Sequence, residues 1–235
     1  MKIFEKVMRR LVCPGSQVGY SQFGEDLIAA HLFANLGIEF PTYLDVGANH
    51  PKFISNTYYF YKRGSHGVLV EPNPSLFKRL KAVRSRDVVL GVGVGLGSQS
   101  EADFYVFPRR ADGLSTFSKE EAAHWETVGM KGYGKIPIEA VIKVPLVPIN
   151  DIISAQFRTR GPNFLSLDIE GLDLDVLKSL DFDRFAPDVI CVETLSYDEN
   201  QNGYKRNDII EFTTSKGYFV YADTRVNTVF CRASL

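Results

Sequence analysis

The residues that could do chemistry stand at the ends of short apolar runs. The first run closes as Tyr43-Leu44-Asp45-Val46-Gly47-Ala48-Asn49. An acid followed by a glycine turn lets the backbone come close to a ligand, because glycine takes conformations closed to other residues. The next run ends at Glu71, 26 positions after Asp45, and is stopped by Pro72-Asn73-Pro74. In nucleoside-binding sheets an acid at that place takes both ribose hydroxyls by charge-assisted hydrogen bonds. The first turn is not G-x-G-x-x-G, so a pyrophosphate has no cradle. That disfavours a nicotinamide dinucleotide, and with it an NAD-dependent oxidoreductase. It favours a nucleoside without phosphates. The run Gly91-Val92-Gly93-Val94-Gly95-Leu96-Gly97 does not change this, since neither register gives the fingerprint and no Gly-Lys-Ser/Thr follows. It reads as a strand end and a turn.

A second constellation is Leu165-Ser166-Leu167-Asp168-Ile169-Glu170-Gly171, followed by a run that ends at Glu193. Asp168 and Glu170 lie two apart, so on a strand both project from one face. Carboxylates at adjacent strand tips are costly together without a cation, a proton or a hydrogen-bond partner. They suit general base catalysis or a hard divalent cation held through oxygen. The candidate bases are Asp168, Glu170, Glu193, His50 and His124. His50 directly follows the first turn. His31 falls on an apolar stripe and reads as a core histidine, and His66 as a surface one. His124 and Trp125 suit either an acceptor pocket or the packing of a lid helix. Lys78, Arg79, Lys81, Arg84 and Arg86 read as a solvated helix face, whereas Arg109 and Arg110 are candidates for a diphosphate.

The elements that must position these groups alternate. Residues 21–36 read as a helix with Ser21 as N-cap and Gly37 as its stop. Strands are expected at 42–46, 67–71, 87–94, 103–107, 143–147, 163–169 and 189–194. Helices are expected at 75–84, 150–154, 172–180 and 209–216, and residues 217–223 and 228–232 form a closing antiparallel pair. Tyr58-Tyr59-Phe60-Tyr61 reads as core and rim packing. Residues 108–145 are rich in glycine, proline and charge, and form an inserted, lid-like segment with one helix capped by a Ser118–Glu121 box. Residues 1–20 stand apart as an N-terminal segment. Strands alternating with helices give an α/β protein with a largely parallel sheet, which binds ligands beyond the C-terminal strand ends.

Five runs stand in one order: Ser21-Gln22-Phe23-Gly24-Glu25-Asp26; Leu44-Asp45-Val46-Gly47-Ala48-Asn49-His50-Pro51; Ser55-Asn56-Thr57; Val70-Glu71-Pro72-Asn73-Pro74; and Leu167-Asp168-Ile169-Glu170-Gly171 with Val176-Leu177. Over residues 21 to about 195 this order resembles the FkbM family of S-adenosylmethionine (SAM)-dependent methyltransferases. The resemblance implies a Rossmann-like fold, a mostly parallel twisted sheet with an antiparallel C-terminal strand. It also implies SAM as cofactor and O-methylation, often of a sugar hydroxyl in polysaccharide, glycolipid or natural-product biosynthesis. Asp45, Gly47, Ala48 and Asn49 match the first cofactor motif, and Glu71, Pro72 and Asn73 the ribose loop. Gln22 to Asp26 would close over the cofactor, and Asn56 belongs to the same cofactor-binding set. In strand order Asp168 and Glu193 fall where catechol-type O-methyltransferases, a different SAM family, hold metal-binding acids. That analogy of topology adds Mg²⁺ or Mn²⁺ to the expected cofactors.

Composition bounds the alternatives. With 45% hydrophobic and 23% charged residues in 235, the chain suits one globular domain rather than a disordered or coiled-coil chain. A net charge of −1 gives no whole-chain case for nucleic acid. Cys13, Cys191 and Cys231 form neither a CxxC pair nor a disulfide framework, which suits a reducing, cytoplasmic setting. No run reaches the roughly 18 apolar residues of a membrane helix. The expected partner is a small molecule, a sugar or nucleotide-linked sugar, with a homodimer in keeping with the fold. Two other readings stay open: a SAM- or nucleoside-binding module without turnover, and an O-methyltransferase acting on a non-sugar small molecule.

Overall fold

A computed structural model describes residues 16–129, 134–157, 160–169, 171–197 and 202–233. The expected segment 1–20 therefore falls largely outside the described residues. In chain order the elements are α1 (Glu25–Asn35), β1 (Tyr43–Val46), α2 (Tyr58–Arg63), β2 (Gly67–Val70), α3 (Pro74–Val83), β3 (Val88–Leu90), β4 (Gly93–Gly95) and β5 (Glu101–Val106). A short 3-10 turn (Arg109–Leu114) and α4 (Lys119–Thr127) follow. Then come β6 (Ala140–Pro148), α5 (Ile149–Gln156), β7 (Phe164–Leu167), α6 (Asp173–Ser179), β8 (Val189–Glu193), β9 (Leu195–Tyr197), β10 (Gly203–Lys205), α7 (Asn207–Ser215), β11 (Tyr218–Asp223) and β12 (Asn227–Arg232).

Seven strands form one sheet in the order β11-β12-β8-β7-β1-β2-β3. β3, β2, β1, β7 and β8 run parallel, and β12 and β11 add antiparallel neighbours. β1, β2 and β7 are buried along their whole length, as a parallel sheet covered on both faces demands. Leu44, Val46, Leu165, Leu167, Ile190 and Val192 pack with Ile149, Ile152, Ile153, Val176 and Leu177 of α5 and α6. Tyr43, Leu69, Phe164, Val189 and Cys191 face the other way, onto Ala29, Leu32 and Phe33 of α1 and Tyr59 and Phe60 of α2. The chain builds outward from β1 to β3 and then returns to β7 on the far side of β1. Strand order reverses between β1 and β7, and a crevice opens beyond the strand tips at such a point.

Several expectations are corrected. The single strand expected at 87–94 is two, because the chain leaves the main sheet at Gly91-Val92 and β4 pairs with β6 in a second sheet, β4-β6-β5. Gly93 accommodates this: a Cβ there would stand 2.4 Å from the Phe117 ring. α1 starts at Glu25, not 21. Gly24, at φ 94°, is its N-cap, and the Ser21 hydroxyl instead accepts from the N–H groups of Gly24 and Asp26. His31 is exposed beside Asn35 rather than in the core. The aromatic run at 58–61 does pack into the core and its rim, from the helix α2, while β9 and β10 form a small antiparallel pair.

Candidate active site

The glycine turn after β1 lies at the crevice. Gly47 and Ala48 both donate their N–H to the Val70 carbonyl of β2. Gly47 has φ 81°, and a Cβ there would fall 1.8 Å from the main-chain oxygen of Asp168. The Asp168 N–H in turn bonds the Val46 carbonyl. No side chain fits between the tips of β1 and β7, so the backbone itself is what a ligand meets.

Glu71 follows β2 and is buried. One carboxylate oxygen accepts the N–H of Asn49 and the other that of Asn73, both at 2.8 Å. Asn49 takes a left-handed φ of 45° to make its contact. Burial pushes the Glu71 carboxyl up to about 7, against the pull of those two N–H groups. A carboxylate has about four acceptor positions, so a place remains on each oxygen for the two hydroxyls of a ribose. The Asn73 side chain caps α3 through the Ser75 N–H at 3.0 Å.

Asp45 acts differently from the expectation. Its carboxylate is buried under the turn, on the α1–α2 face, and does not line the crevice. It accepts from the Thr57 hydroxyl at 2.6 Å and from Ser166. Thr57 in turn accepts from Arg84, which also bonds Tyr43 and the Pro51 carbonyl and pairs with Asp87 at 2.7 Å. Arg84 is 1% exposed, which corrects its reading as part of a solvated face. Asn56 also turns to this row, with its amide nitrogen 3.2 Å from the Ser166 hydroxyl. Asp45 and Asn56 thus brace the turn from behind.

Across the crevice, Asp168 stands one residue beyond β7 and is hydrogen-bonded to Glu193 at the tip of β8. Two ionised carboxylates are acceptors only, so this contact needs a shared proton. Asp168 opens to solvent on one side. The protein around it, with Asp45 and Glu25 nearby, pushes its carboxyl up to about 6, while the bond with Glu193 acts in the opposite sense. Asp173 at the start of α6 is buried and holds the loop through the Ile169 N–H at 3.2 Å. Burial and the charge of Asp168 push it up to about 7. Sequence reasoning missed Asp173, although its place two residues after Gly171 was a usable signal. Among the described residues no three His, Cys, Asp or Glu side chains converge as a metal-ligand set. Asp168 and Glu193 make a proton-linked pair, so the Mg²⁺ or Mn²⁺ expectation is not carried forward. Glu170 lies outside the described residues.

The Methyltransferase FkbM domain matches residues 45–220, well over half of the chain. The chain belongs to the FkbM methyltransferase family. No curated protein sequence matches it. Among solved structures it is similar to a TehB-like SAM-dependent methyltransferase from Corynebacterium glutamicum, at 9% identity over 98% of this chain and 97% of that one, with TM-score 0.44. An O-methyltransferase from Bacillus cereus in complex with S-adenosylhomocysteine is 10% identical over 97% and 87%, with TM-score 0.43. The 1,6-didemethyltoxoflavin-N1-methyltransferase from Burkholderia thailandensis, also holding S-adenosylhomocysteine, is 11% identical over 98% and 82%, with TM-score 0.41. The family makes this chain a SAM-dependent methyltransferase. Its residues fit that cofactor: the Gly47 turn excludes side chains, and Glu71 keeps acceptor places for a ribose.

The remaining candidates in this FkbM methyltransferase divide clearly. His50 Nδ1 accepts the N–H groups of Lys52 (3.1 Å) and Phe53 (2.9 Å). The neutral ring then carries its proton on Nε2, where it donates and cannot act as base. Its partial burial, and then the charge of Arg79, also lower its pKa. Pro72 lies half-buried between Glu71 and Asn73, and Gln22 is exposed on the loop before α1. Asp26 is buried and spends its carboxylate on Ser21 and the N–H groups of Tyr20 and Leu27. Its neighbour Glu25 faces the other way and is tied to Thr224 and Asn227 beside β12. Nothing local marks Glu25 over Asp26; residues some 200 positions away decide it.

The inserted segment has its own small core of Phe107, Ala122 and Ile136, onto which Trp125 packs. It spans the crevice. A Cβ on Gly113 would stand 3.5 Å from the Asn49 amide, and one on Gly171 would stand 3.2 Å from Glu121 Oε1. Ser118 caps α4 through the Glu121 N–H, as expected, but the Glu121 carboxylate takes the Thr116 hydroxyl rather than reaching back. His124 stands edge-on to Trp125. Arg109 lines a cleft of about 550 Å³ with Asn73, Ser75, Arg79 and Asp112, on the Glu71 side of the turn.

Proposed function

We propose that the protein transfers a methyl group from SAM to a hydroxyl of a sugar or nucleotide-linked sugar, with Asp168 as the base. The observation that carries this is Asp168 at the tip of β7, its main chain against the Gly47 turn and its carboxyl bonded to Glu193, with its titration pushed up to about 6. A base should titrate near the working pH, and proton removal of this kind contributes roughly 10²–10⁴ in rate. When bound, SAM supplies an electrophilic methyl on a positive sulfur, which keeps the electron pair of the broken bond. The Gly47 turn and Glu71 hold the nucleoside, leaving the β7 tip facing the acceptor. Once the pair has lost its proton, above about pH 6, Asp168 takes the acceptor's proton, and that proton becomes the one shared with Glu193. Glu121, over Gly171 in the roof, is in reach of a second polar group.

A hydroxyl-rich acceptor is supported by the lining: carboxylates stand at both strand tips and in the roof, and the neighbouring cleft is edged by Asn73, Ser75, Arg79, Arg109 and Asp112. Among the described residues no helix is long and apolar enough to cross a membrane. The test is methyl transfer from labelled SAM to a panel of nucleotide-linked and free sugars, with the product site read by NMR. A methyl ether on a sugar supports the reading. Transfer only to nitrogen, or only to an apolar acceptor, overturns it. Tight SAM binding with no transfer to any acceptor favours the binding module.

A further inference from the structure

Two joined loops hold large apolar side chains out in solvent. The first is the turn that follows Asn49, whose N–H bonds Glu71 at the crevice. On this turn Phe53 is 68% exposed and Ile54 is 49% exposed. The turn is nonetheless fixed at both ends. Pro51 is buried with its carbonyl on Arg84, and Ser55 is buried with its N–H on the Tyr20 carbonyl at 3.0 Å. Between them His50 Nδ1 accepts the N–H groups of Lys52 and Phe53. Ile54 takes a left-handed φ of 50°. Glycine or asparagine suits such a φ, and a β-branched residue adopts it at a cost. An exposed side chain recovers none of that cost in the core. The second loop, residues 16–24, is tied to the first through Tyr20 and adds the exposed Val18 and Phe23.

The charge around these tips has one sign. Residues 16–24 and 50–63 contain no acid. Lys52 is exposed and stands over the Tyr58 ring at 5.8 Å, and Lys62 is exposed and stands over the Tyr20 ring at 5.1 Å. The sequence leading into the second loop repeats the combination: Lys2, Lys6, Arg9 and Arg10 stand among apolar residues, against Glu5 alone. The chain as a whole carries −1, so this excess of base is local. Apolar tips flanked by lysines complement a bilayer with anionic headgroups: the tips enter the acyl boundary and the ammonium groups stay with the phosphates. A second copy of the chain is a poorer match, because a two-fold contact would set this basic surface against itself.

We infer that the Phe53–Ile54 turn and the loop 16–24 dock the protein on an anionic lipid surface. The rigid hold on the turn by Pro51, His50 and Ser55 keeps the two side chains presented before lipid is met.

The test is sedimentation of the full chain with phosphatidylcholine vesicles, with and without phosphatidylglycerol. Neither SAM nor an acceptor is present, so the outcome is separate from the methyl-transfer reading. Wild type should bind the anionic vesicles at least about tenfold more tightly than phosphatidylcholine alone. Phe53→Ser combined with Ile54→Asn should weaken that binding at least about tenfold, since the apolar area that enters the lipid is lost. Asparagine tolerates the left-handed φ, so this variant keeps its turn. Lys52→Ala should weaken binding about fivefold, as one basic residue near an anionic surface does. Phe219→Ser, which removes an exposed phenylalanine from the β11 edge, should bind as wild type does. Wild type left in solution by the anionic vesicles overturns the proposal. Equal binding to both kinds of vesicle overturns it too, as does unchanged binding by the double variant.

Discussion

Gly47→Ala tests whether the crevice is built by backbone contact. Two costs add at this position. Alanine at φ 81° is left-handed, which costs about 1–2 kcal/mol. The new Cβ would stand 1.8 Å from the Asp168 carbonyl oxygen, where an ordinary contact begins at 3.4 Å. The tips of β1 and β7 must part by well over an ångström, straining the bond from the Asp168 N–H to Val46 at 3.1 Å. Overpacking of this kind costs about 1–3 kcal/mol. The sum is about 2–5 kcal/mol, a large part of the roughly 5–15 kcal/mol that holds a domain folded. Urea unfolding measures it, with stability taken from midpoint and slope. Gly97→Ala is the control, because nothing lies near its Cβ position. Variant protein that remains folded should bind SAM at least about tenfold more weakly, since the moved atoms form the turn that meets the cofactor. A Gly47→Ala protein within about 0.5 kcal/mol of wild type, binding SAM normally, would refute the reasoning.

Asp168→Asn should leave SAM affinity within about tenfold of wild type but lower turnover at least about a hundredfold. Once an acceptor is in hand, wild-type kcat/KM should rise with pH through an acid limb near 6, belonging to the Asp168–Glu193 pair. A flat profile from pH 5 to 8 removes Asp168 as base. Glu71 and Asp173 each titrate near 7 when folded, above their ordinary 4.5 and 3.8, so the folded state holds these protons more tightly. Their contribution is full below about pH 4 and is lost as pH rises through 7, so the urea midpoint should fall between about pH 5.5 and 8. A midpoint that climbs across that window contradicts this. Arg84→Ala strands Asp87 as a buried carboxylate and should cost about 3–5 kcal/mol in urea. A loss below about 1 kcal/mol would show that the pair is not buried as described.

The sequence by itself located most strands of the main sheet, and placed Gly47, Glu71, Asp168 and Glu193 at or near their ends. Those signals are local: apolar runs, glycine and proline stops, and acids placed just at the stops. The parallel α/β class followed from the alternation of strands and helices. Tertiary structure alone decided which way each polar group faces and what it meets. Asp45 lies on β1 with its side chain on the α1–α2 face, so its carboxylate meets Thr57 and Ser166 rather than a ligand. Arg84 reads as a surface residue until Asp87, Tyr43 and Thr57 are brought around it. Glu25 and Asp26 are adjacent acids on one helix, and only the far hairpin with Thr224 and Asn227 separates their roles. His50 lost the role of base to two N–H groups of its own turn. The second sheet depends on β6 pairing with β4 and β5 over long stretches of chain, Gly93 with Leu146 and Glu101 with Pro145, contacts that no local pattern encodes. Local propensity sets elements, but burial and hydrogen-bond partners arrive only when distant segments pack.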